Sequence, residues 1–316
     1  MKVVALAGGV GGAKLAHGLA LCLPPEDLTV IVNTGDDFEH LGLHISPDLD
    51  TVCYTLAGLA NPETGWGLTG DSWEFLGALE RLGGETWFRV GDQDLATHVE
   101  RTRRLRAGES LSQVTQDFCR LWGVRPTVLP MTDDSVRTMV LTQDGELAFQ
   151  DYFVRLACEP EVKGFRFEGA PSARPAPGVL ESLAEAEAVV ICPSNPWVSV
   201  DPILSVPGIR GTLAGSRVLA VSPIVGGEAI KGPAAQMFRQ LGIEPTPLAV
   251  AGHYAGLISD MVIDQVDAPL AAGIELDGLR VLVTDTIMRT QADRHRLALE
   301  TLAFVAQASQ AAEVAI

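Results

Sequence analysis

The sequence predicts an α/β fold, a Rossmann-like and mostly parallel sheet carrying a helix-rich insertion. Three observations lead to it. Short apolar runs at 3–7, 28–32 and 188–192 have the length and continuity of strands buried on both faces. Residues 13–22 have helical spacing and separate the first two runs, which is the alternation of a parallel sheet. The runs close on Gly8, on Asn33-Thr34-Gly35-Asp36-Asp37 and on Pro193-Ser194-Asn195-Pro196, and open α/β sheets bind ligands at such strand ends.

The elements follow in order. After the second strand and its acidic loop, helical patterns at 48–60, 71–82, 92–107 and 112–122 make an insertion of about 48–122, with Asp48 placed to cap the first. Strands are expected at 127–129, 137–141 and 146–153, the last two joined by a Gln-Asp-Gly-Glu turn. Residues 159–178 are polar and rich in Pro and Gly, which reads as a surface excursion. Alternation then resumes, with strands at 188–192, 217–221 and 281–284 and an amphipathic helix over about 290–309. The whole of 1–316 reads as a single α/β domain.

The composition is globular, 47% hydrophobic and 20% charged over 316 residues, and large enough to bury a core without staples. The net charge of −17 excludes a general footprint for nucleic acid or for an anionic membrane. The five cysteines are scattered without a CxxC pair, so neither a zinc knuckle nor a disulfide framework is indicated. Glycines interrupt the apolar N-terminus, and no uninterrupted apolar run is long enough to span a bilayer. The expected location is cytoplasmic.

Gly8-Gly9-Val10-Gly11-Gly12 lets backbone approach a phosphate at a helix start, or forms a tight strand–helix turn. It matches neither the dinucleotide spacing nor a Walker loop. Asp36, Asp37, Asp48 and Asp50 cluster near strand ends and fit a hard divalent cation held together with substrate phosphates, whereas in a nicotinamide-binding fold an acid after the second strand would hold a ribose. Asp92 reads as a helix cap, His98 as a core or surface residue, and the arginines at 101, 103, 104 and 106 as a solvated helix face. Loops at Thr132-Asp133-Asp134, Pro193–Pro196 and Ser222-Pro223-Ile224-Val225-Gly226-Gly227 supply polar groups at strand ends, and Lys231 precedes a helix as a phosphate contact. With no nucleophile elbow and no Cys/His spacing, this chemistry suits phosphoryl or nucleotidyl-type transfer.

In this order, AGGVGGAKL, NTGDD, ISPDLDTV, GDQDLATH, LPMTDD, FQDYFV, PSNP, ILSVPGIR and AVSPIVGG closely resemble the 2-phospho-L-lactate transferase family (CofD, called FbiA in mycobacteria), from about residue 3 to 264. The GGVGG form is similar to the actinobacterial branch. The resemblance implies a Mg²⁺-dependent step in making coenzyme F-420. A three-carbon phosphoacyl group would pass from its GMP diphosphate ester to the ribityl hydroxyl of the deazaflavin Fo, releasing GMP. It further implies a Rossmann-like core, a helical part and a homodimer. By motif, Asp50 and Arg89 look like the positions that contact Fo, Asp50 also serving as the catalytic group. Asp36, Asp37, Asp48 and Asp50 would hold the metal. Gly8, Gly9, Gly11, Gly12, Lys14, Ser194, Asn195, Ser222, Pro223 and Gly226 would hold the guanine nucleotide. Asp50→Ala is then expected to abolish transfer with the fold intact. The rivals are a nicotinamide oxidoreductase, against which the glycine register argues, and a non-catalytic nucleotide-sugar sensor of the related gluconeogenesis-factor family.

Overall fold

The computed structural model describes residues 1–314, with side chains through 307. Its centre is a seven-stranded sheet of β1 (Val3–Ala7), β2 (Leu28–Val32), β3 (Thr127–Pro130), β4 (Ala188–Ile191), β5 (Val218–Val221), β6 (Asp260–Asp264) and β7 (Arg280–Thr284), in the spatial order β7-β6-β5-β4-β1-β2-β3. Every neighbouring pair is parallel. The chain builds outward from β1 to β3, then returns to the other side of β1 with β4. The crevice at the carboxyl ends of β1 and β4 is therefore the topological switch point.

Period-two alternation divides each strand between two cores. Val4 and Leu6 of β1 pack with Ile31, Val189, Ile191 and Val218 on one face. Val3, Ala5 and Ala7 pack on the other with Leu15 and Leu19 of α1 (Gly9–Cys22) and Leu297 of the C-terminal helix Gln291–Val314.

Between β2 and β3 lie an antiparallel hairpin (Phe38–His40 with Leu43–Ile45) and four helices, α2 (Pro47–Leu56), α3 (Glu74–Arg81), α4 (Asp92–Arg106) and α5 (Leu111–Leu121). The helix-rich insertion thus stands where its periodicity placed it.

Three expectations fail. Residues 146–153 are not one strand: Gly145–Ala148 pairs with Arg137–Thr142, and the chain coils into a wide helical turn at Asp151–Arg155. The Pro/Gly-rich excursion contains a strand, Val162–Glu168, that completes this small antiparallel sheet. Its alternating charges lie on a half-exposed face, which an antiparallel strand tolerates. Strand β6 was not foreseen, because acids flank its apolar centre. Asp260 enters the sheet fully buried, paired with Arg217 and Arg280.

At the switch point α1 begins at Gly9, directly after β1. A Cβ on Gly11 would lie 2.2 Å from the Pro193 carbonyl oxygen, so only glycine lets the β1–α1 turn touch the β4 loop. Gly11→Ala is expected to lower the unfolding free energy by about 1–3 kcal/mol. A urea midpoint equal to that of the wild type would show that the two loops can separate without penalty.

Candidate active site

One cavity of about 700 Å³ opens at the carboxyl edge of the sheet. That volume suits a cofactor-sized ligand. The glycine loop and the β4 and β5 loops form its floor, α2 and α4 one wall, and Trp87 and Phe88 an aromatic lobe on the insertion. Arg89 lies on this lobe, its guanidinium 4.4 Å above the Trp73 ring.

The predicted acids divide into three kinds. Asp36 and Asp48 line the cavity, and Asn33 at the end of β2 organises both. The Asn33 side-chain amide donates to Asp36 at 3.2 Å, to Asp48 at 2.9 Å and to the Val198 carbonyl at 3.1 Å. Asp48 does not cap its own helix, as the sequence suggested. The N-cap is Ser46, with Pro47 following, and the Asp48 carboxylate accepts the Gly9 N–H at 2.7 Å across the crevice. Asp36 and Asp48 are buried, and neither has a basic partner among the described residues. Burial, with the Asp48 and Asp37 charges, pushes Asp36 well above the carboxylate range. Burial pushes Asp48 up to about 6, against the pull of Asn33 and the Gly9 N–H.

Asp37 turns away from the cavity. Its carboxylate accepts from the Ser46 hydroxyl at 2.7 Å and faces His44, and Arg137 holds its carbonyl. It does not line the cavity as Asp36, Asp48 and Asp50 do.

Asp50 also lines the cavity but already has a cation. Two residues along a helix lie about 200° apart, so Asp50 faces α4 while Asp48 faces the glycine loop. Arg101, 2% exposed, donates through both terminal nitrogens to the two Asp50 oxygens. The solvated helix face expected at 101–106 therefore fails at its first arginine. His98 and Asp94 join this group. His98 Nδ1 lies 3.7 Å from Asp50 and Nε2 3.5 Å from Asp94, whose carboxylate accepts the Tyr54 hydroxyl at 2.8 Å. Asp50, Asp94 and His98 form the one cluster of three metal-capable side chains within 4.8 Å among the described residues. The four predicted metal acids do not converge in this way.

Sequence reasoning set His98 aside and missed Tyr54, Asp94 and Arg101 as site residues. A signal was present, since positions 94, 98 and 101 fall on one stripe of α4. Reciprocal caps fix this helix. Asp71 accepts the N–H groups of Gln93 and Asp94 at the start of α4, while Asp92 accepts those of Glu74 and Phe75 at the start of α3. Asp92 thus caps its neighbour rather than its own helix, and a Cβ on Gly91 would collide with Asp71 at 2.1 Å.

Of the residues expected at a nucleotide, Gly8, Gly9, Gly11, Lys14, Ser194, Asn195, Ser222 and Pro223 line the cavity. Gly12 and Gly226 do not. Gly12 packs against Ala7 and Ser194, and Gly226 turns the chain at positive φ with its N–H on Asp267. The Ser194 hydroxyl donates to the Gly8 carbonyl, the Ser222 hydroxyl closes a local turn, and the Asn195 side-chain oxygen accepts the Trp197 N–H. These side-chain bonds hold the loops of the floor in place. The loop 132–134 lies away from the cavity, bonded to Arg174 and Ser112. Thr286, Ile287 and Met288 after β7 join the lining unforeseen.

The sequence pattern of the family described as 2-phospho-L-lactate transferase CofD matches residues 3–297. The chain belongs to this family. It is 44% identical to a phosphoenolpyruvate transferase of Streptomyces griseus, over 91% of this chain and 93% of that one. It is 41% identical to a 2-phospho-L-lactate transferase of Methanopyrus kandleri, over 96% and 98% of the two chains. Among solved structures, a UPF0052 family protein from Bacillus halodurans shares the fold, with a TM-score of 0.60, 18% identity, and coverage of 95% of this chain and 98% of that one. Membership makes the chain a transferase of the CofD type, consistent with small-molecule substrates. No helix among the described residues is long and apolar enough to cross a membrane.

Proposed function

We propose that this protein, a single α/β domain acting as a cytoplasmic homodimer, transfers a phospholactyl-type group from its GMP diphosphate ester to the ribityl hydroxyl of Fo in coenzyme F-420 synthesis. The relative from Streptomyces griseus, named for phosphoenolpyruvate, favours the phosphoenolpyruvyl form. The observation that carries the reading is the continuity of the cavity. It joins the glycine-loop backbone to an aromatic lobe suited to a flat heterocycle, with Asp48 and Asp50 of one helix turn in the wall between them.

The acceptor hydroxyl oxygen bonds the phosphorus that carries the three-carbon acid. The bond from that phosphorus to the GMP oxygen breaks, and GMP leaves with the electron pair. Asp50 keeps lone pairs beyond those that Arg101 occupies, orients the hydroxyl and takes its proton as the ester bond forms. Burial raises its affinity for the proton despite Arg101. Arg89 over Trp73 borders the acceptor lobe.

The donor set fits Mg²⁺ at Asp36 and Asp48. Both are oxygen ligands, buried, mutually repelling and without a cation of their own. The Asp50–Asp94–His98 cluster fits less well, because Arg101 already neutralises it. When bound, the metal would neutralise diphosphate charge.

The folded chain holds protons on Asp48 to a higher pH than the unfolded chain does. The metal-free protein should therefore lose stability as pH rises from about 4 through about 6. Mg²⁺ should reverse the loss above that range. Thermal melts across pH, with and without the metal, test this, and a stability that climbs with pH in chelator would contradict it.

The function itself is tested by incubating the protein with Fo, a guanylyl donor and Mg²⁺. GMP release and a coupled product of matching mass are expected. Binding of a sugar nucleotide with no GMP release would mark a sensor instead. Competing donors resolved by mass spectrometry identify the three-carbon acid.

A further inference from the structure

In a chain with 40 acids and 23 bases, one corner of the cavity is lined by ammonium groups that no carboxylate neutralises. Lys14 projects from α1 and donates to the Met288 carbonyl at 2.9 Å. Lys231 projects from the segment after the Ile224–Val225/Glu228–Ala229 hairpin and donates to the Thr64 carbonyl. Neither forms an ion pair among the described residues. Burial holds Lys14 below the ordinary lysine range, with Arg294 and Lys231 adding to the effect, and partial desolvation lowers Lys231 although much of its side chain stays exposed.

An ammonium has three N–H groups. Each lysine uses one on a backbone carbonyl, which fixes its position, and keeps two for a ligand. Thr64 belongs to the segment 61–67, which folds on itself through the Gly65 and Asn61 N–H bonds and places Trp66 over the cavity. Gly65 of this segment lies against Val10 of the glycine loop and against Lys231, so the segment roofs the same corner.

We infer that Lys14 and Lys231 form a two-point clamp for the donor's diphosphate, and that Lys231 couples its occupancy to the roof at 61–67. The identity of the anion rests on the transferase reading above. The clamp itself rests on two tethered, uncompensated cations facing one cavity. Anion binding should tighten the roof, because the ammonium that holds the phosphate oxygens also holds Thr64.

The test uses the full chain, free of metal and of acceptor, titrated calorimetrically with inorganic pyrophosphate, together with amide exchange of 61–67. Lys14→Met and Lys231→Met should each weaken pyrophosphate at least about tenfold, since each removes charge-assisted hydrogen bonds. Lys231→Arg should recover much of the loss. Pyrophosphate should slow exchange at 61–67 in the wild type but not in Lys231→Met. Lys231 is exposed, so its variants should fold, and melting curves verify this for both positions. No binding to the wild type, wild-type affinity in either methionine variant, or an unchanged roof would overturn the clamp. No turnover is measured, so a failed transfer assay would leave this result standing, and the reverse also holds.

Discussion

Asp50→Ala should lower the unfolding free energy by about 3–5 kcal/mol, because it strands the Arg101 guanidinium, 2% exposed, without its carboxylate. This departs from the expectation of an inactive but intact variant that the sequence alone supports. Loss of transfer in Asp50→Ala would therefore mix lost chemistry with a loosened α2–α4 wall. Arg101→Met in the same background should return a large part of the stability, since a buried pair replaced by apolar groups of similar size is often neutral. Urea unfolding of the two single variants and the double variant closes the cycle. An interaction energy near zero would mean that the pair contributes geometry without stability. Asp50→Asn, which keeps the volume and one acceptor, is the better variant for turnover.

Asp48→Asn should act in the opposite direction on stability while abolishing function. The amide can still accept the Gly9 N–H through its oxygen, so the crevice contact survives, while its nitrogen gives up the hydrogen bond from Asn33. The buried charge, which repels Asp36 and lacks a basic partner, disappears. In chelator the variant should melt above the wild type by the equivalent of about 1–3 kcal/mol. With Mg²⁺ the order should invert, because the variant loses the metal-induced rise in Tm. Transfer should fall at least about 10²-fold, the scale of losing one electrostatic stabiliser in a closed site. A variant that melts below the wild type in chelator, or that keeps the Mg²⁺ response, would remove Asp48 from the metal site.

The two variants also mark where the sequence was readable. The glycine loop and the acids after β2 could be placed because parallel strands put their ends on one edge of the sheet, and that follows from strand–helix alternation alone. The partner of each acid could not. Asp48 and Asp50 are two residues apart in one helical turn, yet one meets the glycine loop and the other meets α4. Only the packing of α4 beside α2 decides that. His98 and Arg101 seemed ordinary because a charged helix usually faces water, whereas α4 turns its polar stripe inward to Asp50 and Tyr54. The strand Asp260–Asp264 was lost for a similar reason: its first acid is buried with two arginines, one just before β5 and one in β7. Val162–Glu168 escaped because an alternation with one wet face looks like a loop when glycines and prolines surround it.

The strand order has a consequence for how the chain is made. Among the strands of the sheet β1 is synthesised before the others, yet its two sides are filled at very different times. Val3 pairs with Leu28 on one side and with Ala188 on the other. Until Ala188–Ile191 has been synthesised, the all-apolar segment Val-Val-Ala-Leu-Ala presents an open row of hydrogen-bonding groups on the side away from β2. Such an edge is a template for pairing with other chains, and closing so distant a contact is slow. The feature that creates the ligand crevice, a central strand shared between two halves, is thus also the point at which a nascent copy is most exposed to aggregation.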